Sequence, residues 1–180
     1  MALNTPQAEI LSRLSREQLL EFIDTLQKNW WNLQNNWMAY MNREYGEEAA
    51  LKGDSQCFGA NATVQVHRFK RIFGLKDDLP SLMDALALST IFANGEYEMW
   101  KLDESRFRLR VTNCLQQVRR VEDGMGELAC KPAGMAICEA AASTINPATR
   151  VRSAFRAHTG PATRSSNLGL RLARTERLDD

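Results

Sequence analysis

Residues 96–111, EYEMWKLDESRFRLRV, carry the reading that decides the fold. In Arg106-Phe-Arg-Leu-Arg-Val111 polar and apolar side chains alternate strictly, the period of a half-buried strand. Asp103-Glu104-Ser105 turns the chain, and Glu96 to Leu102 reads as the partner strand. Pairing the two around that turn puts Glu96, Glu98 and Trp100 on the face of the three arginines. Opposite charges across strands contribute about 0.2–1 kcal/mol per pair. Phe107, Leu109 and Val111 then face the core.

Upstream of this hairpin the period is helical. Thr5-Pro6 opens a short helix running to Leu14, and Ser15-Arg16-Glu17-Gln18 is a capping box. Leu19, Ile23, Leu26, Trp30, Leu33, Trp37 and Met41 follow at spacings of three and four. They form one apolar stripe from about Ser15 to Glu44 that must bury against the chain or a partner. Trp30 and Trp31 point about 100° apart, so one is expected inside and the other at an edge. Gly46 stops this helix, Glu47 to Leu51 reads as a short helix, and Lys52-Gly53-Asp54-Ser55 reads as a linker. A further helix is expected from Cys57 or Ala60 to Phe73, closed by Gly74. Another runs from Leu79 or Pro80 to Leu88, capped by Asp78.

Downstream, the signal weakens between Asn113 and Pro132, with Gly124 and Gly126 marking a loop. Ala133 to Thr144 reads as a helix ended by Asn146-Pro147, and Arg150 to Phe155 as a strand. The fold class is therefore α+β, a helical N-terminal half packed on a small antiparallel sheet with one crossover helix. A single domain over 1–156 is expected, helical over 5–92 and sheet-containing over 94–156. Residues 157–180 form a divergent tail, disordered or supplying one extra strand around Leu168, Leu170 and Leu172.

Composition narrows the function. In 180 residues, 44% apolar and 25% charged is the balance of a soluble globular chain. Twenty-three Lys and Arg against 22 Asp and Glu give a net charge of +1, which argues against nucleic acid as a partner. No apolar run approaches the ~18 residues of a membrane span. The opening residues lack the layout of a secretory signal, so a cytoplasmic protein with reduced thiols is expected. Two histidines, His67 and His158, exclude a histidine-rich metal site by count.

The cysteines are the chemical lead. Cys114 follows the clearest strand, Cys130 closes the glycine loop and Cys138 lies in the next helix, while Cys57 reads as core or incidental. Converging thiolates could bind zinc or iron through Cys114 and Cys130, or one could act as a nucleophile. Plain burial is the competing reading. Arg106, Arg108, Arg110, Arg119, Arg120 and Lys131 could hold a carboxylate or phosphate. Their competing reading is a solvated face neutralised by Glu96 and Glu98. Glu44, Glu47 and Glu48 read as a solvated helix end.

Several stretches together carry a family resemblance: Asn36-Trp37, Tyr45-Gly46-Glu47-Glu48-Ala49, Cys114-Leu-Gln-Gln117-Val-Arg-Arg120 with Gly124, Cys130-Lys131-Pro132, and Ile145-Asn146-Pro147 leading into Arg150-Val151-Arg152. From Leu14 to Phe155 the chain resembles a family of small bacterial and archaeal cytosolic proteins of unknown function. That family is distantly similar to L-2-amino-thiazoline-4-carboxylic acid hydrolase-like and vinyl-reductase-type domains. The resemblance implies a cysteine-containing pocket, with Cys114, Gln117, Arg120, Cys130 and Lys131 carried over by position. This chain departs from the pattern at Asn35-Asn36, where an acidic residue is usual, and at Ser153, where a cysteine is. It departs again beyond Arg156, where a Cys-Pro-Pro-Asp segment and a tryptophan-containing strand are replaced by an arginine-rich stretch. A shifted reading frame or a decayed copy would produce such a break.

Two functions follow as expectations. One is a small-molecule or metal-binding domain whose pocket, between helices and sheet, is lined by Cys114, Gln117, Arg120, Cys130 and Lys131. The other is a non-catalytic interaction protein, a homodimer through the Trp30/Trp37 helix with buried structural cysteines.

Overall fold

The computed structural model of the chain describes residues 5–92, 95–153 and 170–174. Helix α1 spans Thr5–Leu11 and α2 spans Arg16–Tyr45. The capping box at the start of α2 is complete: Gln18 donates its backbone N–H to Ser15 Oγ, and its side chain accepts from the Ser15 N–H at 2.8 Å. Gly46, at φ 84°, ends α2 and begins α3 in one residue, a conformation that disfavours any side chain. It makes α2 and α3 a helical hairpin.

Helix α3 runs unbroken over Glu47–Phe73 and closes on a left-handed Gly74. The expected linker at Lys52–Ser55 is thus a correction. Glycine is about 1 kcal/mol worse than alanine in a helix, so local propensity favours a break there. Packing overrides it. Ala50, Asp54, Phe58, Ala62 and Val66, four residues apart, form the buried face of one continuous helix. Ser55 Oγ also bonds the Leu51 carbonyl one turn back at 2.7 Å.

Helix α4, Leu79–Ala87, is capped by Asp78, whose carboxylate accepts from the Ser81 N–H at 2.9 Å. Strands β1 (Gly95–Asp103) and β2 (Arg106–Cys114) form the hairpin, with Glu98 opposite Arg110 and Trp100 opposite Arg108. Phe107 and Leu109 are fully buried and Val111 is half-buried. A bulge between Glu96 and Tyr97 shifts the register so that Glu96 faces Asn113. A Cβ on Gly95 would lie 2.5 Å from the Asn113 carbonyl, so only glycine lets the strand ends approach this closely.

Helix α5, Leu115–Glu122, occupies part of the stretch where the sequence signal weakens, and α6, Lys131–Ile145, follows. Strand β3 spans Thr149–Ser153 and β4 spans Leu170–Arg174. The sheet order is β1-β2-β4-β3, with every neighbouring pair antiparallel. β2 and β3 are therefore parallel and flank β4, and α6 is the crossover between them. The architecture is α+β. Phe155, His158 and the rest of the tail apart from β4 lie outside the described residues.

The core gathers Phe58, Leu82, Leu86, Phe107, Leu109 and Ile137 between helices and sheet. Helices α3 and α6 approach closely because small residues face each other: a Cβ on Gly59 would sit 3.6 Å from Ala136 Cβ. The apolar stripe of α2 behaves differently from expectation. Trp31 is the one buried residue of that helix, with its indole N–H donating to the Thr90 carbonyl at 3.0 Å. Trp30 is half-buried, whereas Ile23, Leu26 and Leu33 are exposed, Leu33 by 70%. Within the chain, α2 packs through Trp31, Gln34 and Met38 together with one edge of the predicted stripe, Trp30 and Trp37, while Ile23, Leu26 and Leu33 of that stripe stay exposed.

Candidate functional site

Where α2 crosses α3, the two helices enclose a hollow of about 330 Å³, within the helical layer rather than between helices and sheet. That volume lies at the lower end of small-molecule pockets, roughly 300–1,000 Å³. Trp30, Leu33 and Trp37 form its α2 wall, and Phe58, Cys57 and Asn61 its α3 wall. Trp30 and Phe58 meet with ring centroids 5.6 Å apart, and Trp30 stands edge-on to Trp31 at 5.1 Å. The hollow also depends on a missing side chain. A Cβ on Gly53 would lie 3.3 Å from the Trp37 ring, so the indole rests against bare helix backbone.

Three polar side chains, Gln34, Asp54 and Asn61, interrupt these apolar walls, and two of them are bonded to each other. Asp54 is only 5% exposed, and its Oδ1 accepts one hydrogen bond, from Gln34 Nε2 at 3.0 Å. Gln34 Oε1 is buried with no partner among the described residues. Burial pushes the Asp54 carboxyl above the usual aspartate range, and the Gln34 bond only partly offsets it. A buried carboxylate with one neutral donor is costly unless further donors reach it.

Of the residues expected from sequence, Gln117 and Cys130 meet outside this hollow. Cys114 caps the start of α5 and Cys130 that of α6. Gln117, on α5, acts as a clasp. Its Nε2 donates to the Leu128 carbonyl at 2.7 Å and to Cys130 Sγ at 3.2 Å, while its Oε1 accepts the Leu128 N–H at 2.8 Å. Burial raises the Cys130 pKa, and the neighbouring Cys114 and Asp54 raise it further.

Two other members of the expected set turn elsewhere. Arg120, expected to hold an anionic group, donates to Glu47 of α3 at 3.1 Å and to the Gly126 carbonyl at 3.3 Å. Lys131 is exposed at the start of α6. On the hairpin, Arg106 pairs with Asp103, Arg110 lies 3.9 Å from Glu98, and Arg108 stacks over Trp100 at 5.7 Å. The arginine face is thus matched by acidic and aromatic neighbours. Among the described residues no three His, Cys, Asp or Glu side chains converge to hold a metal ion, and two thiols are half of a tetrahedral zinc set. Cys138 is buried, its thiol pushed up to about 12 by desolvation, whereas Cys57 is exposed at the rim of the hollow.

Asp54 and Gln34 are the residues that sequence reading passed over. A signal existed for Asp54: it continues the four-residue spacing of Ala50, Phe58, Ala62 and Val66. No sequence pattern links it to Gln34, twenty positions away.

Fold and site together define an α+β domain with an aromatic hollow in its helical hairpin and a loop before α6 held by Gln117. The chain belongs to a family of unknown function (DUF6125), whose family model matches residues 12–161. No curated protein and no solved structure matches it. Among the described residues no helix is long and apolar enough to cross a membrane.

Proposed function

We propose that this chain is a small-molecule-binding domain and that its ligand sits in the hollow between α2 and α3. The observation that carries the reading is Asp54, a nearly buried carboxylate with a single hydrogen-bond partner lining a tryptophan-walled space. Pockets of this kind pair apolar walls with a few convergent polar groups, and a perturbed carboxyl inside one marks a functional site. Outside the hollow, Gln117 of α5 bonds Cys130 before α6, and Cys114 and Cys130 offer soft donors without a third metal ligand among the described residues. The distant similarity to L-2-amino-thiazoline-4-carboxylic acid hydrolase-like and vinyl-reductase-type domains agrees with a small organic ligand. The reading takes the chain as a cytoplasmic prokaryotic protein.

The test is a fragment screen by saturation-transfer NMR on the purified chain. Compounds that bind are expected to slow alkylation of Cys57 at the rim, and Cys57→Trp, which plugs the mouth from an exposed position, to abolish their binding. Binding that ignores both Cys57 alkylation and Cys57→Trp overturns the reading.

The exposed Ile23, Leu26 and Leu33 favour a second reading, a homodimer formed by the α2 stripe of two copies. Light scattering tests it: a dimer that Leu26→Glu dissociates supports it, and a monomer at high concentration rules it out.

A further inference from the structure

The donor and acceptor inventory of the hollow specifies what it binds. Apart from the half-buried Asn61 amide, its polar side chains are Asp54 and Gln34, and their acceptor atoms are short of donors. Gln34 spends an N–H on Asp54 Oδ1, which leaves Gln34 Oε1 without a donor and the Asp54 carboxylate with one bond. Ionised carboxylates and amide oxygens both only accept. Trp30 and Trp37 present indole rings to the same space, and indole faces attract cations. No Lys or Arg lines the hollow to supply the missing charge. The aromatic and aliphatic remainder requires an apolar body on the ligand.

We infer that the hollow takes a small organic ammonium ion, an apolar body carrying a protonated primary or secondary amine, with its N–H groups shared between the Asp54 carboxylate and Gln34 Oε1. This specificity rests on the small-molecule reading above and deepens it. An anionic ligand would face the Asp54 charge in a confined space. A neutral one would leave that charge uncompensated. An ammonium ion supplies two or three donors and the opposite charge at once, and charge-assisted hydrogen bonds are the stronger kind.

The experiment compares benzylammonium, benzyl alcohol and benzoate, three probes of one shape and three charge states. Binding is followed by tryptophan emission and by protection of Cys57 from alkylation, at probe concentrations up to about 10 mM, the range suited to weak fragments. Benzylammonium is expected to bind at least about tenfold more tightly than benzyl alcohol, with benzoate weaker still. Asp54→Asn, checked for folding by circular dichroism, should remove the preference while sparing benzyl alcohol. Benzyl alcohol protecting Cys57 as well as benzylammonium does, or a preference that survives Asp54→Asn, overturns the ammonium assignment and leaves the binding site standing. Failure of all three probes to move either signal overturns both.

Discussion

The Gln34 amide of α2 donates to the Asp54 carboxylate of α3 at 3.0 Å, and this bond is the whole hydrogen bonding of that carboxylate among the described residues. It ties the helical hairpin together at the point where α3 was expected to break. It is also where the fold carries a cost, because the carboxylate is buried with one neutral donor.

That cost has a pH signature. Desolvation raises the Asp54 pKa in the folded chain above its unfolded value, so the folded state holds the proton more tightly. Stability from this group is fully present below the unfolded value of 3.8 and is lost as pH rises through the folded pKa. Asp54→Asn keeps a neutral polar group beside Gln34 and is expected to raise stability at pH 7. Urea denaturation from pH 4 to 8 checks this: the variant should lack the fall that the parent chain shows. A variant less stable at pH 7 would mean the carboxylate is better satisfied than its single bond indicates.

Gly53 and Trp37 make a second testable pair. Alanine at 53 favours the helix by about 1 kcal/mol but places a methyl 3.3 Å from the indole. Trp37 is 37% exposed and free to shift outward, so Gly53→Ala is expected to stabilise α3 by about 0.5–1 kcal/mol while changing tryptophan emission. Thermal denaturation and fluorescence read the two effects separately. Lower stability would show that the ring cannot yield.

Gln117 holds the loop before α6 by bonding both backbone groups of Leu128 and the Cys130 sulfur. Gln117→Ala deletes all three contacts and is expected to cost about 2 kcal/mol, measured as a lower urea midpoint. Hydrogen exchange should speed up at the Leu128 amide first. An unchanged midpoint would reduce the clasp to a surface contact.

Three of the four thiols, Cys57, Cys130 and Cys138, are expected to react in an order set by exposure and ionisation. Cys57, exposed, should be modified first by a maleimide at pH 7.5, and half-buried Cys130, its pKa raised, more slowly. Cys138, buried and pushed up to about 12, should react only on unfolding. Mass spectrometry of timed samples gives the order, and early modification of Cys138 would show that α6 opens readily.

Local pattern alone determined the elements whose period and caps agree with their packing. The alternation from Arg106 to Val111, the capping box at Ser15, the Asp78 cap and the stops at Gly46 and Gly74 all survive in the structure, because each depends on neighbours within a few residues. Helix α5 was not legible: between Asn113 and Pro132 the sequence signal weakens and Gly124 and Gly126 read as a loop, yet Leu115–Glu122 is helical. Tertiary structure decided the rest. Lys52–Ser55 is helical because Asp54 meets Gln34 and Gly53 admits Trp37, contacts from a helix that lies elsewhere in the chain. Which side of α2 is buried was likewise set by α3 and Thr90, which take Trp31 and Trp30 and leave Ile23, Leu26 and Leu33 of the helix's own stripe exposed. A sequence records how apolar each residue is. Whether a carboxylate ends in water or beneath two tryptophans depends on where another helix lands, and that is a property of the packed chain.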